Sequence, residues 1–200
     1  MKAVSPEKVE RRAKARSATR AAILDAARRV AGREGARNLS LRGAAAEAGF
    51  APAGLYGYFG NKDELLLALA ADDLAAIARA MRSATECNGH SGRLAAASAA
   101  ALRMLQQTET LIAAASALPR ISGSSEPERI FNGRLIAALS VLAQATGRSA
   151  ESRAAQTDVV LLACALTGLA VFARSGRMAA LGFSTEELVT RLGDRFAEAR

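Results

Sequence analysis

Apolar residues recur at helical spacing along most of the chain, and turn or cap residues punctuate them at intervals. Over residues 17–33, Ala22, Ile23, Ala26, Ala27, Val30 and Ala31 form one stripe, while Arg20, Arg28 and Arg29 lie on other faces. Gly32 and Gly35 end this first helix. Ser40 is a good N-cap for a second helix over 41–48, Ala45 is small enough for a neighbour to approach closely, and Gly49 supplies a permissive turn. Phe50 is expected to plug the angle between that helix and the next. The next helix is short, residues 51–58, with Pro52 in its first turn, where only an unpaired N–H is forfeited. Asn61, followed by Asp63 and Glu64, opens a longer helix through Leu65, Leu66, Leu69, Ala70, Leu74, Ile77, Ala78 and Met81, ending near Ser83. About 21 residues at 1.5 Å each span roughly 30 Å, enough to link two ends of a small protein.

The pattern stays helical beyond that point. Helices are expected over 92–107 and 108–118, the latter closed by Pro119, and a loop over 121–127 precedes a helix over 128–145 that stops at Gly147. Residues 150–175 contain VVLLACALTGLAVFA, which has no polar face. A helix apolar all round is covered on both sides, one by its own core and the other by a second subunit or by the same chain. The uncharged run is 15 residues, short of the roughly 20 that a membrane span needs, so no membrane partner is expected. Ser184-Thr185-Glu186-Glu187 reads as a capping box for a last helix with Leu188, Leu192 and Phe196 on one stripe. The fold class is all-α. The helices at about 150–175 and 184–199 are the candidates for a homodimer interface, as a four-helix bundle across a two-fold axis.

Composition agrees with helices: half of the 200 residues are hydrophobic, only 4% are aromatic, and tryptophan is absent. Charge adds something the periodicity does not. The net charge is +8, and residues 1–62 hold 13 basic and 5 acidic residues, leaving 14 of each in the remainder. All the excess positive charge therefore sits in the half with the short-helix pattern, as expected for a polyanion-binding module joined to a neutral domain. Residues 1–16 carry Lys2, Lys8, Arg11, Arg12, Lys14 and Arg16 with little apolar content and read as a flexible basic arm. Such an arm lies along phosphates, enters a minor groove, or is a solvated tail. Cys87 and Cys164 fit no disulfide framework, and the amino terminus lacks the apolar core of a secretory signal, so a reducing cytoplasm is expected.

A helix, a glycine turn and a brief aromatic helix together read as a helix-turn-helix unit at about 40–59. The residues Thr19-Arg20, Ile23-Leu24, Ala26-Ala27, Gly35, Ser40-Leu41, Ala45, Ala48-Gly49-Phe50, Gly54-Leu55-Tyr56-Gly57-Tyr58-Phe59 and Asn61-Lys62-Asp63-Glu64-Leu65-Leu66 resemble the amino-terminal domain of TetR-family transcriptional regulators. The resemblance covers residues 17 to about 70. It implies a three-helix DNA-binding domain over 17–70, a helical regulatory, effector-binding and dimerisation domain over 71–200, and a homodimer. By that resemblance the protein is most often a repressor, released from a near-palindromic operator by a small molecule. Departures from the family pattern are Ala44 in place of a larger aliphatic residue, Val30-Ala31 where an aromatic is usual, and Ala51 where a Ser or Thr cap is common. They suggest a less tightly held small core.

The expected DNA contacts are Arg42, Ala51, Pro52, Ala53, Gly54, Tyr56, Tyr58 and Lys62. Ala51 to Gly54 offer almost no side-chain hydrogen bonds to base edges, so phosphate contacts and DNA shape carry a larger share. Arg42 is the expected base reader. Tyr58 and Lys62 are assigned to phosphates, and Tyr56 either joins them or is a core residue with a satisfied hydroxyl. Phe59 belongs to the core.

Catalytic chemistry is not expected. The single histidine, His90, has no second orienting group in its loop, and Glu86, Cys87 and His90 fall short of the roughly four ligands of a zinc site. No cofactor or metal is expected. Gln106, Gln107, Asn132, Arg134 and Gln144 are the polar residues of the central helices, either surface or pocket, and they leave the effector unknown. The alternatives are a constitutive or architectural DNA-binding protein without a ligand, and a helical enzyme or binding module.

Overall fold

The stripes described above become ten helices in the computed structural model, which describes residues 6–86, 92–117, 125–147 and 152–196. Pro119, residues 121–124 of the expected loop, Cys87 and His90 lie outside the described residues.

Helix α1 (Pro6–Glu34) is much longer than its apolar stripe predicts. The residues from Pro6 to Arg16, expected to be a flexible arm, continue the helix instead. Lys, Arg, Glu and Ala are good helix formers, Pro6 occupies the first turn, and Glu7 is favourable there, so the segment needs no buried face to be helical.

Helix α2 (Leu41–Ala48) starts at Ser40, whose hydroxyl accepts from the Gly43 N–H at 3.0 Å. It ends at Gly49 with φ +74°, and the Phe50 N–H reaches the Ala45 carbonyl at 2.9 Å while the Gly49 N–H reaches that of Ala46 at 3.2 Å. That pair of bonds is a Schellman motif, and its left-handed residue is why glycine stands there. The motif also throws Phe50 outward. It is 39% exposed and does not plug the inter-helix angle, whereas Leu55 and Phe59 are fully buried in the amino-terminal core. Helix α3 (Pro52–Leu55) is shorter than the expected 51–58, because Tyr58 and Phe59 both donate to the Leu55 carbonyl, at 2.8 and 2.9 Å, closing a turn.

Helix α4 (Lys62–Glu86) is capped by Asn61, whose side-chain oxygen accepts from the Glu64 N–H at 2.9 Å, while Glu64 returns to the Gly60 N–H at 2.8 Å. The remaining helices are α5 (Arg93–Gln107), α6 (Thr110–Ala117), α7 (Glu126–Thr146), α8 (Arg153–Arg174), the unexpected short α9 (Arg177–Ala180) and α10 (Thr185–Phe196). Ser125, Ser152 and Ser184 cap α7, α8 and α10 with their hydroxyls, and Gly147 ends α7 at φ +75°.

Two hydrophobic cores result. Ile23, Leu24, Ala27, Val30, Leu39, Leu41, Ala44, Ala45, Leu55 and Phe59 close the amino-terminal one, joined by Leu65, Leu66, Ala68 and Leu69 of α4. Ala44 is fully buried, and its small side chain lets α2 lie close to α1. Leu67, Ala70, Ala71, Leu74, Ile77, Ala78 and Met81 of the same helix belong to the second core, with residues of α5, α7, α8 and α10. The two cores interleave along residues 65–71 of one unbroken helix.

Helix α8 buries Ala155, Val159, Leu162, Leu166 and Ala170 and packs on α5, α7 and α10. Its other face, with Val160, Leu161, Val171 and Phe172, is exposed. At 22 residues, with a window of mean hydropathy 1.8, α8 is longer than its uncharged run, and among the described residues it has the length and composition of a span. Its inner stripe is nevertheless occupied by core residues.

Candidate nucleic-acid interface

The amino-terminal unit displays most of the residues expected at DNA. Ala51, Pro52, Ala53 and Gly54 are all exposed at the start of α3, and no side chain caps that helix. Loss of a cap typically costs about 1 kcal/mol, so α3 is held chiefly by buried Leu55 and the turn after it. Arg42 stands exposed in the first turn of α2, with no hydrogen bond or ion pair among the described residues.

Tyr56 is 59% exposed, which rules out its reading as a core residue. Tyr58 is half-buried and packs against the amino-terminal core. The Arg16 guanidinium lies 4.8 Å from the centre of the Tyr58 ring and donates to the Gly57 carbonyl at 2.7 Å. One turn later, Arg20 sits 5.2 Å from the ring of the buried Phe59. Neither Arg16 nor Arg20 stands out in the sequence as a partner of these rings. The available signal was that both precede the Ile23 stripe in whole turns of a helix whose composition allows it to extend backward.

Lys62 opens α4 and donates its ammonium to the Arg37 carbonyl, tying the loop after α1 to the start of α4. Two of its three N–H bonds remain for an anion. Ala51 to Gly54, Tyr56 and Arg42 are thus surface groups, while Tyr58 and Lys62 are half-engaged by the scaffold.

Glu47 fixes α2 against α1. Arg29 Nε donates to it at 2.8 Å and Arg33 Nη1 at 3.3 Å. The Arg29 hydrogen bond, supported by Arg33, holds the Glu47 carboxyl below the usual carboxylate range, opposed by partial desolvation. Hydrogen bonds to Glu34 and then Glu47 push the Arg33 guanidinium further up. Both arginines are thereby partly neutralised, whereas Lys8, Arg11, Arg12 and Lys14 on the extension of α1 are exposed and meet no acid among the described residues. Among the described residues, no group of three or more His, Cys, Asp or Glu side chains is placed to hold a metal.

Residues 23–69 match the model for "Bacterial regulatory proteins, tetR family". No match was found among curated proteins. Solved structures are similar along nearly the whole chain. A TetR transcriptional regulator from Rhodococcus sp. RHA1 is 18% identical at TM-score 0.68, covering 90% of this chain and 97% of its own. A protein of unknown function from Rhodococcus sp. RHA1 is 23% identical at TM-score 0.69, with coverage of 89% and 93%. The transcriptional regulator FadR from Bacillus subtilis, in complex with stearoyl-CoA, is 16% identical at TM-score 0.60, with coverage of 88% and 97%. At these identities the structures establish a shared fold, and the matched segment is the helix-turn-helix unit with the start of α4. Residues 23–69 thus carry the amino-terminal helix-turn-helix pattern of the TetR family, and the chain as a whole shares the fold of a TetR transcriptional regulator.

Proposed function

We propose that the chain acts as a cytoplasmic homodimeric repressor that leaves a near-palindromic operator when a small molecule binds its helical domain. The observation that carries this reading is the single helix α4, whose residues 65–71 belong alternately to both cores. A ligand that favours one packing of the second core thereby favours one pose of the helix-turn-helix unit, which is a population shift. For paired recognition helices one turn of DNA apart, the target separation is roughly 34–36 Å, and a few ångströms of misfit suffice to release it.

The dimer reading rests on α8 and α10. A cleft of about 380 Å³ between them is lined by Ala165, Gly168, Leu169, Phe172, Leu188 and Leu192, with Arg191 and Arg195 at its edge. Two copies meeting here make the four-helix arrangement expected at 150–175 and 184–199. At the DNA, Arg42 reads bases, Ala51 to Gly54 allow close backbone approach, and Tyr56, Tyr58 and Lys62 hold phosphates. The helical extension of α1 adds basic charge beside them. No catalytic group, metal or cofactor is needed for this role. The FadR homologue from Bacillus subtilis, bound to stearoyl-CoA, offers an acyl thioester as one effector class to screen.

The test is a binding titration of the full chain on duplex DNA from beside its own gene, against a scrambled duplex, over a range of salt. Tight, salt-sensitive binding confined to a near-palindromic segment supports the repressor. Equal affinity for both duplexes favours an architectural protein, and no binding at low salt defeats both readings.

A further inference from the structure

A cleft of about 880 Å³ opens where the end of α1 meets α4, the turn between α5 and α6, α7 and the end of α8. That volume lies in the range of roughly 300–1,000 Å³ typical of small-molecule sites. Its charges are unevenly satisfied. Asp73 accepts from Arg28 at 3.4 Å and from the hydroxyls of Thr108 and Thr110. Asp72 lies 3.8 Å from Arg28, and Glu109 pairs with Arg174, which also donates to the Thr108 carbonyl at 2.9 Å. Each acid of the cleft is thus engaged. Arg79 of α4 and Arg134 of α7 line the same cleft and meet no acid among the described residues. Between the charged groups the wall is mixed: Ala75, Ala76, Ile77 and Met104 give it an apolar strip, and Gln106 and Gln107 line it beside them.

We propose that this junction cleft binds an amphipathic organic anion, with its carboxylate or sulfonate held by Arg79 and Arg134 and its apolar body laid on Ala76 and Met104. The lining carries four arginines against three acids, a net +1, and the planar forks of its two unpaired guanidiniums suit a carboxylate or sulfonate better than a point cation would. Such a ligand touches α4 and α7 of the helical domain and, through Ala31 and Gly32, the last turn of α1 in the DNA-binding unit. It therefore sits where the two cores join. This site rests on the ligand-controlled reading above and gives it a ligand class.

The probe is 8-anilinonaphthalene-1-sulfonate, titrated by fluorescence on the full chain without DNA, followed by displacement with decanoate or decanol. The expected result is one saturable site per chain, displaced by decanoate at least tenfold more effectively than by decanol. The double variant Arg79→Gln/Arg134→Gln should bind the probe at least tenfold more weakly, while Arg103→Gln, an exposed change on α5 outside the cleft, should bind it as the wild type does. Decanoate should also raise the melting temperature of the wild type and not that of the double variant. Absence of a saturable site, equal displacement by decanol, or unchanged affinity in the double variant overturns the proposal. Because DNA is absent, such a failure leaves the operator titration to decide the regulator reading separately.

Discussion

Arg42 carries most of the base-reading expectation, because the exposed residues at the start of α3 have little to donate. A bidentate arginine contact is worth about 1–3 kcal/mol of discrimination. Arg42→Ala is therefore expected to lower affinity for the preferred duplex by roughly ten- to a hundredfold, with a much smaller loss on a scrambled one, read by fluorescence anisotropy at fixed salt. Glu47 supports a pH prediction. Its folded pKa is depressed by Arg29 and Arg33, so its stabilising effect is present above its unfolded value and is lost as pH falls through the folded one. Glu47→Gln should melt below the wild type near neutral pH, and the gap should close on acidification. A gap that persists once the carboxyl is protonated would assign the effect to packing. Single residues were legible where one property decided them: Phe59 by its place in the motif, Ser40 and Asn61 as caps. Phe50 was not, because its outward position follows from a turn geometry that its hydrophobicity does not report.

At the scale of elements, boundaries set by caps and glycines were readable, and those set by the absence of a breaker were not. The helices that begin at Ser40, Asn61, Ser152 and Ser184 or stop at Gly147 lie within a few residues of expectation, since a side-chain oxygen or a left-handed residue defines the end chemically. Helix α1 extends back to Pro6 because nothing between Pro6 and Ser17 interrupts it, although no apolar stripe marks it. Conversely, α3 stops at Leu55 because the chain turns to bury Phe59. Short α9 had no cap or stripe to announce it. The turn between α2 and α3 gives a direct test. Gly49→Ala forces a Cβ into the left-handed region, where the penalty is about 1–2 kcal/mol. No neighbouring atom lies within 4 Å of that added carbon, so the cost is conformational and not a clash. Urea unfolding should show that loss with an unchanged m-value, and DNA affinity should fall because the α2 to α3 angle is set at this residue.

For the whole molecule, the sequence marked a neutral helical half and a basic half, and the fold joins them physically: one helix supplies side chains to both cores. What covers α8 was visible only as a need. Its inner stripe meets α5, α7 and α10, while Leu161 and Phe172 remain 53% and 48% exposed on the outer one. Polar helices cover their outer faces with water; this face has few groups that water can bond, so a second copy offers it a better partner. Leu161→Glu/Phe172→Glu places two carboxylates on that face without touching the core of the same chain. Sedimentation velocity at micromolar concentration should then show a monomer in place of a dimer, with helical content retained. A two-site operator should be bound about 10²–10⁴-fold more weakly, since each helix-turn-helix unit loses the effective concentration supplied by its partner. Binding to an isolated half-site should change little. A variant that still sediments as a dimer would place the interface elsewhere on the chain.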